Sequence, residues 1–344
     1  MMTGMDRLQA VLAGQRPDRV PVFCNLLDQG ARELGMGMQE YYSRGENVAE
    51  GQLRMREKYG YDGVTGMFYV GMEAELFGCR NIVYAEDGPP NVGHLVIQKP
   101  EDIESLEVPD DFNGLPRFRE LTTCIRILKE RLGGQYPVIC EVTASFTLPA
   151  LLMGISGWME LFLCGDAGVR SLLLEKCSRF CRRHIQALRE AGADLIVYTN
   201  SVATANFITL PQFKALALPA LHSDLQPVGT EGIVYFNGGG RINPHLSILL
   251  EQTGLQAFYI NPFDDITEAK ATLGGQALLV AAINDISLIL WSEEDIKREV
   301  RRIMEAGKTG GGFVFGTLMM PCAIPEKNIR IMLEAAYRYG QYDI

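Results

Sequence analysis

No stretch of the sequence approaches the roughly 18 consecutive apolar residues needed to cross a bilayer. The richest segment, Thr147 to Cys164, is interrupted by Pro149, Gly154, Ser156, Gly157 and Glu160. No secretory leader is expected, because Met1 to Arg16 carries charges and no clean apolar block ahead of a cleavage site. C-x-x-C pairs are missing as well. The eight cysteines stand scattered at 24, 79, 124, 140, 164, 177, 181 and 322. In a core-rich chain of 344 residues, such spacing reads as reduced thiols, so a cytoplasmic protein is expected. Positive charge is the scarcer sign: 32 Lys and Arg stand against 42 Asp and Glu, a net charge of −10. That field repels phosphate backbones and anionic lipid, which argues against nucleic acid and membrane partners. Internal repeats, low-complexity runs and linkers are also absent, which predicts one domain over residues 1–344.

What the chain does contain is an alternation. Eight apolar runs are bounded by turn residues: Arg19–Asn25, Asp62–Tyr69, Pro137–Thr143, Ala193–Asn200, Gly232–Asn237, Ala257–Asn261, Ala277–Asn284 and Gly312–Thr317. They are apolar on both faces, as expected of parallel strands covered by helices. Helical stretches lie between them: Val48–Lys58, Leu115–Leu132, Gly168–Ala191, Pro211–Leu225, Pro244–Gln252, Ser292–Ala306 and Pro325–Gly340. Ser292 reads as an N-cap followed by acidic residues, and Gly192 as a helix stop. Eight βα units predict an α/β fold of the (β/α)8 TIM barrel class. Gly71–Asn113 exceeds one unit. It reads as an insertion at the second βα loop, with a short helix and a hairpin turning at Asp87-Gly88-Pro89-Pro90.

In such a barrel, chemistry sits at the C-terminal ends of the strands. That rule nominates Asn25 and Asp28, Tyr69, Glu141, Tyr198 and Asn200, Asn237, Asn261, Asn284 and Met319. Five strands ending in Asn suggest a mouth lined by neutral amides, although Asn is also a common turn residue. Glu141 interrupts an apolar strand. It either points outward to a partner or is a lumen carboxyl with a raised pKa, able to donate a proton or bind a metal. Of the four histidines, His184 lies in CRRHIQALRE and is expected on a solvated face, while His222 and His245 are expected to be structural. His94, on the insertion, is the one retained as a candidate. Gly238-Gly239-Gly240 before Arg241 reads either as a phosphate-cradling loop or as a tight βα turn.

The sequence also resembles a known group. PDRVPV (17–22), EKYGYDGV (57–64), EAELFGC (73–79), EAGADLIVYTNSVA (190–203), ITLPQFKAL (208–216), DDITEAKATLGG (264–275), SEEDIKREVRRIMEAG (292–307) and PEKNIRIMLEAAYRYG (325–340) occur in order. Together they resemble the uroporphyrinogen decarboxylase superfamily, especially its cobalamin-linked methyltransferase branch. In the decarboxylases, two arginines after the first strand hold substrate carboxylates. The matching LDQGAR here has Asp28 at the first position and keeps only Arg32. The decarboxylase Asp after the second strand matches Tyr69, and its Asp-Ser pair after the fourth matches Asn200-Ser201. In the thiol-methylating branch, a His-x-Cys pair and a distant Cys hold zinc. Here those positions read Asn237-Gly238-Gly239 and the neighbourhood of Met319, with Cys322 displaced.

The resemblance therefore implies methyl transfer from a small methylated substrate (a methoxyarene, methylamine or betaine) to the cobalt of a corrinoid protein. The corrinoid, a cobalamin, would be carried by that partner. The alternatives are a related decarboxylase and a non-catalytic barrel that binds a small molecule or a corrinoid protein. Under the leading reading Glu141, Tyr69, Asn200 and Asn237 are the expected catalytic residues. Asn25, Asp28, Phe146, Tyr198, Asn261, Asn284 and Met319 are expected to bind substrate. The resemblance leaves room for a zinc site of another kind, for which Glu73 and His94 are the candidates. Glu57 is excluded because it precedes the second strand. Phe68, Tyr69, Met72, Phe146 and Met319 are expected to form an apolar rim for the macrocycle.

Overall fold

A computed structural model describes residues 2–86 and 88–342. Strands β1 (Val22–Asn25), β2 (Val64–Thr65), β3 (Val138–Thr143), β4 (Leu195–Thr199), β5 (Ile233–Phe236), β6 (Ala257–Ile260), β7 (Leu278–Ile283) and β8 (Phe313–Met319) fall within or beside the eight expected runs. They hydrogen-bond in parallel in the order β1-β8-β7-β6-β5-β4-β3-β2. With helices around them, this is a nearly closed (β/α)8 TIM barrel. The expected helices are present, among them Gly45–Tyr59, Pro116–Leu132, Ala167–Ala191 and Glu293–Lys308. Ser292 caps the last of these in a reciprocal pair with Asp295. Gly192 ends Ala167–Ala191 in the left-handed conformation.

The insertion carries the helix Met72–Leu76 and an antiparallel hairpin of Ile82–Val83 with Asn91–Val92. Of its expected turn residues, Asp87 lies outside the described residues. Helices that the sequence reading did not anticipate include Gly4–Leu12, Gln29–Leu34, Met38–Ser43, Asp102–Ser105, Leu148–Cys164 and Ile266–Leu273.

Strand alternation sorts the side chains into two apolar bodies. Outward-facing residues pack under the helices in the large outer core. Inward-facing Phe23, Leu195, Val234, Leu278, Val280 and Val314 form a separate cluster with Leu8 and Val11 of the Gly4–Leu12 helix. That helix closes the N-terminal end of the barrel: Met5 N–H donates to the Gln135 carbonyl just ahead of β3. The lumen is therefore blind at its base.

The seam between β1 and β2 has no ladder, because β2 is only two residues long. Asp62 stands in for one. Its N–H donates to the Val22 carbonyl at 2.8 Å, and its carboxylate accepts from the Val22 N–H at 2.8 Å. The same carboxylate binds Arg7 of the floor helix at 2.9 Å and Arg19 at 2.5 Å. Asp62 is buried, so removing its charge leaves Arg19 without a carboxylate partner and Arg7 with Asp18 alone. Asp62→Asn should cost about 3–5 kcal/mol of unfolding free energy, the usual penalty for breaking a buried pair. Urea denaturation reads this directly, and a loss below ~1 kcal/mol would show that the seam does not depend on it.

Candidate functional site

The lumen opens at the C-terminal ends of the strands as a cavity of about 470 Å³. Its lower walls are apolar: Phe23, Ile139, Leu195, Val197, Val234, Leu278 and Val280. Higher up come Phe68, Phe236 and Tyr259, a set of threonines (65, 143, 147, 199 and 317), and Asn25, Leu318 and Met319. Gly316 on β8 leaves room for the Tyr259 ring, since a Cβ there would lie 2.7 Å from the Tyr259 hydroxyl. That hydroxyl instead donates to the Thr317 carbonyl at 2.5 Å.

Two carboxyls face this space, Glu141 and Asp285, and among the described residues no lysine, arginine or histidine lines it. Glu141 occupies the middle of β3, two residues below the strand end. The Asn25 amide donates to its Oε1 at 3.5 Å. Burial pushes the Glu141 carboxyl up to about 7, and the charge of nearby Glu73 adds to the push. Asp285 is raised too, also by burial. A carboxyl near 7 exchanges its proton at neutral pH and is fitted to general acid–base work.

Glu73 lies on the far side of β3. Its Oε1 accepts from the Thr143 N–H at 2.9 Å and sits 3.1 Å from His184 Nδ1. His184 is completely buried and stacks on Phe112, so it is not on a solvated face. It continues the spacing Cys177, Cys181, His184, Leu188 on the inner side of its helix. That i, i+4, i+7, i+11 period was the signal in the sequence, and the flanking arginines masked it. His94 is exposed and contacts Gln98, so it is not beside Glu73. Among the described residues no group of three or more His, Cys, Asp or Glu is placed to hold a metal.

Of the other expected site residues, Asn25, Glu141 and Met319 line the cavity and the rest do not. Tyr69 is buried, donates to Glu75 and packs edge-on against Tyr42. Asp28 is buried and accepts from the Tyr42 hydroxyl at 2.5 Å. Tyr198 points to the helix layer and donates to Asp224 at 2.6 Å. Phe146 packs against Trp158 and Phe162, and Met72 is likewise buried.

Of the five strand-end asparagines expected at the mouth, only Asn25 lines the cavity. Asn200 accepts from Thr147 Oγ1 at 3.0 Å, Asn237 donates to the Arg241 carbonyl at 3.0 Å, and Asn261 donates to the Gly238 carbonyl at 2.9 Å. Asn284 accepts from the Ser287 N–H at 3.0 Å. Asn237, Asn261 and Asn284 satisfy the backbone of tight βα turns, while Asn200 braces the Thr147 hydroxyl, which itself accepts from the Val202 N–H. Gly238 belongs to the same scaffold: its φ is +61° and a Cβ would meet Ser201 Oγ at 2.2 Å. The glycine run is thus a close turn against the preceding loop.

The positions matching the family's zinc ligands do not fit zinc. Asn237 is spent on the loop backbone, Gly239 has no side chain, and Met319 offers only a thioether. Arg32, the one matching carboxylate-binding residue, donates to the Cys322 carbonyl and is not among the residues lining the lumen.

The family model described as uroporphyrinogen decarboxylase (URO-D) matches residues 3–339. A methylcobamide:CoM methyltransferase of Methanosarcina acetivorans is 26% identical, with 98% of each chain covered. A uroporphyrinogen decarboxylase of Thermus thermophilus is 29% identical over 86% of this chain and 85% of its own. A solved methyltransferase from Methanosarcina mazei superimposes with a TM-score of 0.86 at 21% identity, covering 98% of this chain and 99% of its own.

The raised carboxyl has a consequence for stability. The folded state holds a proton on Glu141 that the unfolded chain releases near its ordinary 4.5. Stability from that proton is complete below 4.5 and is lost as pH rises through about 7. Glu141→Gln removes the dependence. Its melting temperature should gain on the unsubstituted protein between about pH 5 and pH 8, then run parallel. Calorimetry over that range checks the sign, and a gap that does not move with pH refutes it.

Proposed function

The chain belongs to the uroporphyrinogen decarboxylase family, and within it we propose a corrinoid-dependent methyltransferase that moves a methyl group from a small donor in the lumen to the cobalt of a corrinoid protein. The observation that carries this reading is the lumen itself: the proton-exchanging carboxyl of Glu141 above apolar lower walls, with Asp285 as the second acid and no cation among the described lining residues. A porphyrinogen polycarboxylate would find no positive group there. A thiol acceptor would find no zinc-holding set to make it a thiolate. A methyl donor whose heteroatom would depart as an anion, by contrast, is served by apolar walls and an acid at that atom. The similarity to methylcobamide methyltransferases supports the corrinoid as the other substrate.

The chain's residues would divide the work simply. Val197, Phe236 and the threonines hold the donor, and Glu141 holds the proton beneath the departing atom. Asn25 orients that carboxyl, while Glu73 fixes the Thr143 end of the same strand and favours the protonated form. Transfer should therefore fall as pH rises through about 7. Glu141→Gln should lower kcat by about a hundred- to ten-thousand-fold, with KM changed little. Methylation of cob(I)alamin followed by absorbance measures both, and an unaltered kcat would remove Glu141 from the chemistry.

The macrocycle is too wide for a lumen of this size and must sit over the mouth. Of the rim expected from sequence, Phe68 and Met319 line the cavity. Other apolar groups stand exposed on the loops after β6 and β7: Phe263 at 63%, Ile286 at 61% and Leu290 at 90%. These support docking of a partner domain on that face. Phe263→Glu with Leu290→Glu should slow transfer to the corrinoid protein at least tenfold and leave transfer to free cobalamin unchanged. Equal slowing with both acceptors would place the partner elsewhere.

A further inference from the structure

The charge and depth of the lumen narrow the donor further, an inference that rests on the methyl-transfer reading. We propose that the donor is an uncharged aryl methyl ether, and that the lumen rejects donors bearing a carboxylate, sulfonate or phosphate.

An anionic group brought into this space would lose its water and gain no counter-charge. The carboxyls that line the cavity are Glu141 and Asp285, which carry its own sign when ionised, and among the described residues no cation lines it. Along the strand walls, backbone N–H groups do not replace the missing cation, because they are spent in the parallel ladders. An unpaired buried anion costs several kcal/mol even after relaxation.

Cationic donors fail for a chemical reason. A quaternary ammonium or a protonated methylamine loses its methyl and leaves as a neutral amine, which requires no proton. A carboxylate beside such a donor stabilises the starting cation more than the transition state, where the charge is fading, so it hinders transfer. A methyl ether is the opposite case. Its leaving oxygen departs with the electron pair of the C–O bond and needs a proton in the same step. In a balanced step, the C–O bond breaks, the methyl carbon bonds to the electron pair supplied by cobalt(I), and Glu141 protonates the oxygen. The products are a phenol, methylcobalt(III) and the Glu141 carboxylate, which regains its proton from water.

An aryl body follows from leaving-group strength and shape. A phenol ionises near ~10, as tyrosine does, whereas an alkanol, like water, is a far weaker acid. A ring also suits the walls, where Phe68, Phe236 and Tyr259 surround the upper lumen. A cavity of ~150 Å³ holds benzene, so about 470 Å³ accommodates a substituted single ring. Glu141 lies two residues below the end of β3, about 7 Å at ~3.3 Å per residue. That depth lets the ether oxygen reach the carboxyl while its methyl points to the mouth.

The test pairs binding with turnover. Methoxybenzene, 4-methoxybenzoate and phenyltrimethylammonium are titrated calorimetrically into the purified protein, and each is then assayed as donor to cob(I)alamin. Methoxybenzene should bind and methylate cobalt. The benzoate should bind at least tenfold more weakly, and Thr199→Lys, which places a cation at the mouth, should recover most of that loss. The ammonium ion should transfer no faster than the reaction without protein. Equal affinity for the benzoate, or the ammonium ion as the faster donor, would overturn the proposal. Charge selectivity in binding with no cobalt methylation from any probe would instead sink the methyl-transfer reading, and leave the lumen's preference for uncharged rings standing.

Discussion

A barrel whose second strand is two residues long cannot close on its own ladder, and the carboxylate of Asp62 does what the ladder leaves undone. It accepts from the backbone of β1 and from two arginines, one of them on the floor helix. The seam and the floor are thereby one electrostatic unit. Lumen shape, the burial of Glu141 and the one-sided opening all presuppose that unit, because a gap at the seam or the base would admit water beside the carboxyl. With water there, the low-polarity surroundings that hold its proton would be gone.

Strand parity divides the chemistry of the two faces. Inward positions carry Ile139, Glu141 and Thr143 on β3, and Leu195, Val197 and Thr199 on β4. Outward positions carry polar groups too, but these are paired under the helices, as Tyr198 is with Asp224. Glu73 with His184 occupies the same outer layer. Glu141 is therefore held between an apolar well on one side and a buried acid–histidine pair behind its strand.

The strands were legible because continuous apolar runs between turn residues leave little alternative, and Glu141 because a charge inside such a run stands out. Tyr69, Tyr198 and Asn237 were misplaced although the same sequence held the answer. Each sits one residue from a lumen-facing neighbour (Phe68, Val197 and Phe236), so each points the other way. Asn200, Asn261 and Asn284 misled for a different reason. Tight turns at a barrel mouth require side chains that bond the loops' own backbone and hydroxyl groups, and residue type alone does not distinguish that duty from ligand binding. The Glu73–His184 pair, 111 positions apart in the chain, was beyond local spacing. Only the helical period of the histidine was readable.

The blind base carries a consequence for the order of events. With the floor helix sealing the N-terminal end, entry and exit share one doorway. Any macromolecule that covers the doorway during reaction also locks in whatever occupies the lumen. The small ligand must arrive first, and its remnant can depart only after the cover lifts. Steady-state kinetics on such a scaffold would be compulsorily ordered, and an excess of the covering partner would slow turnover by trapping the empty or spent protein beneath it.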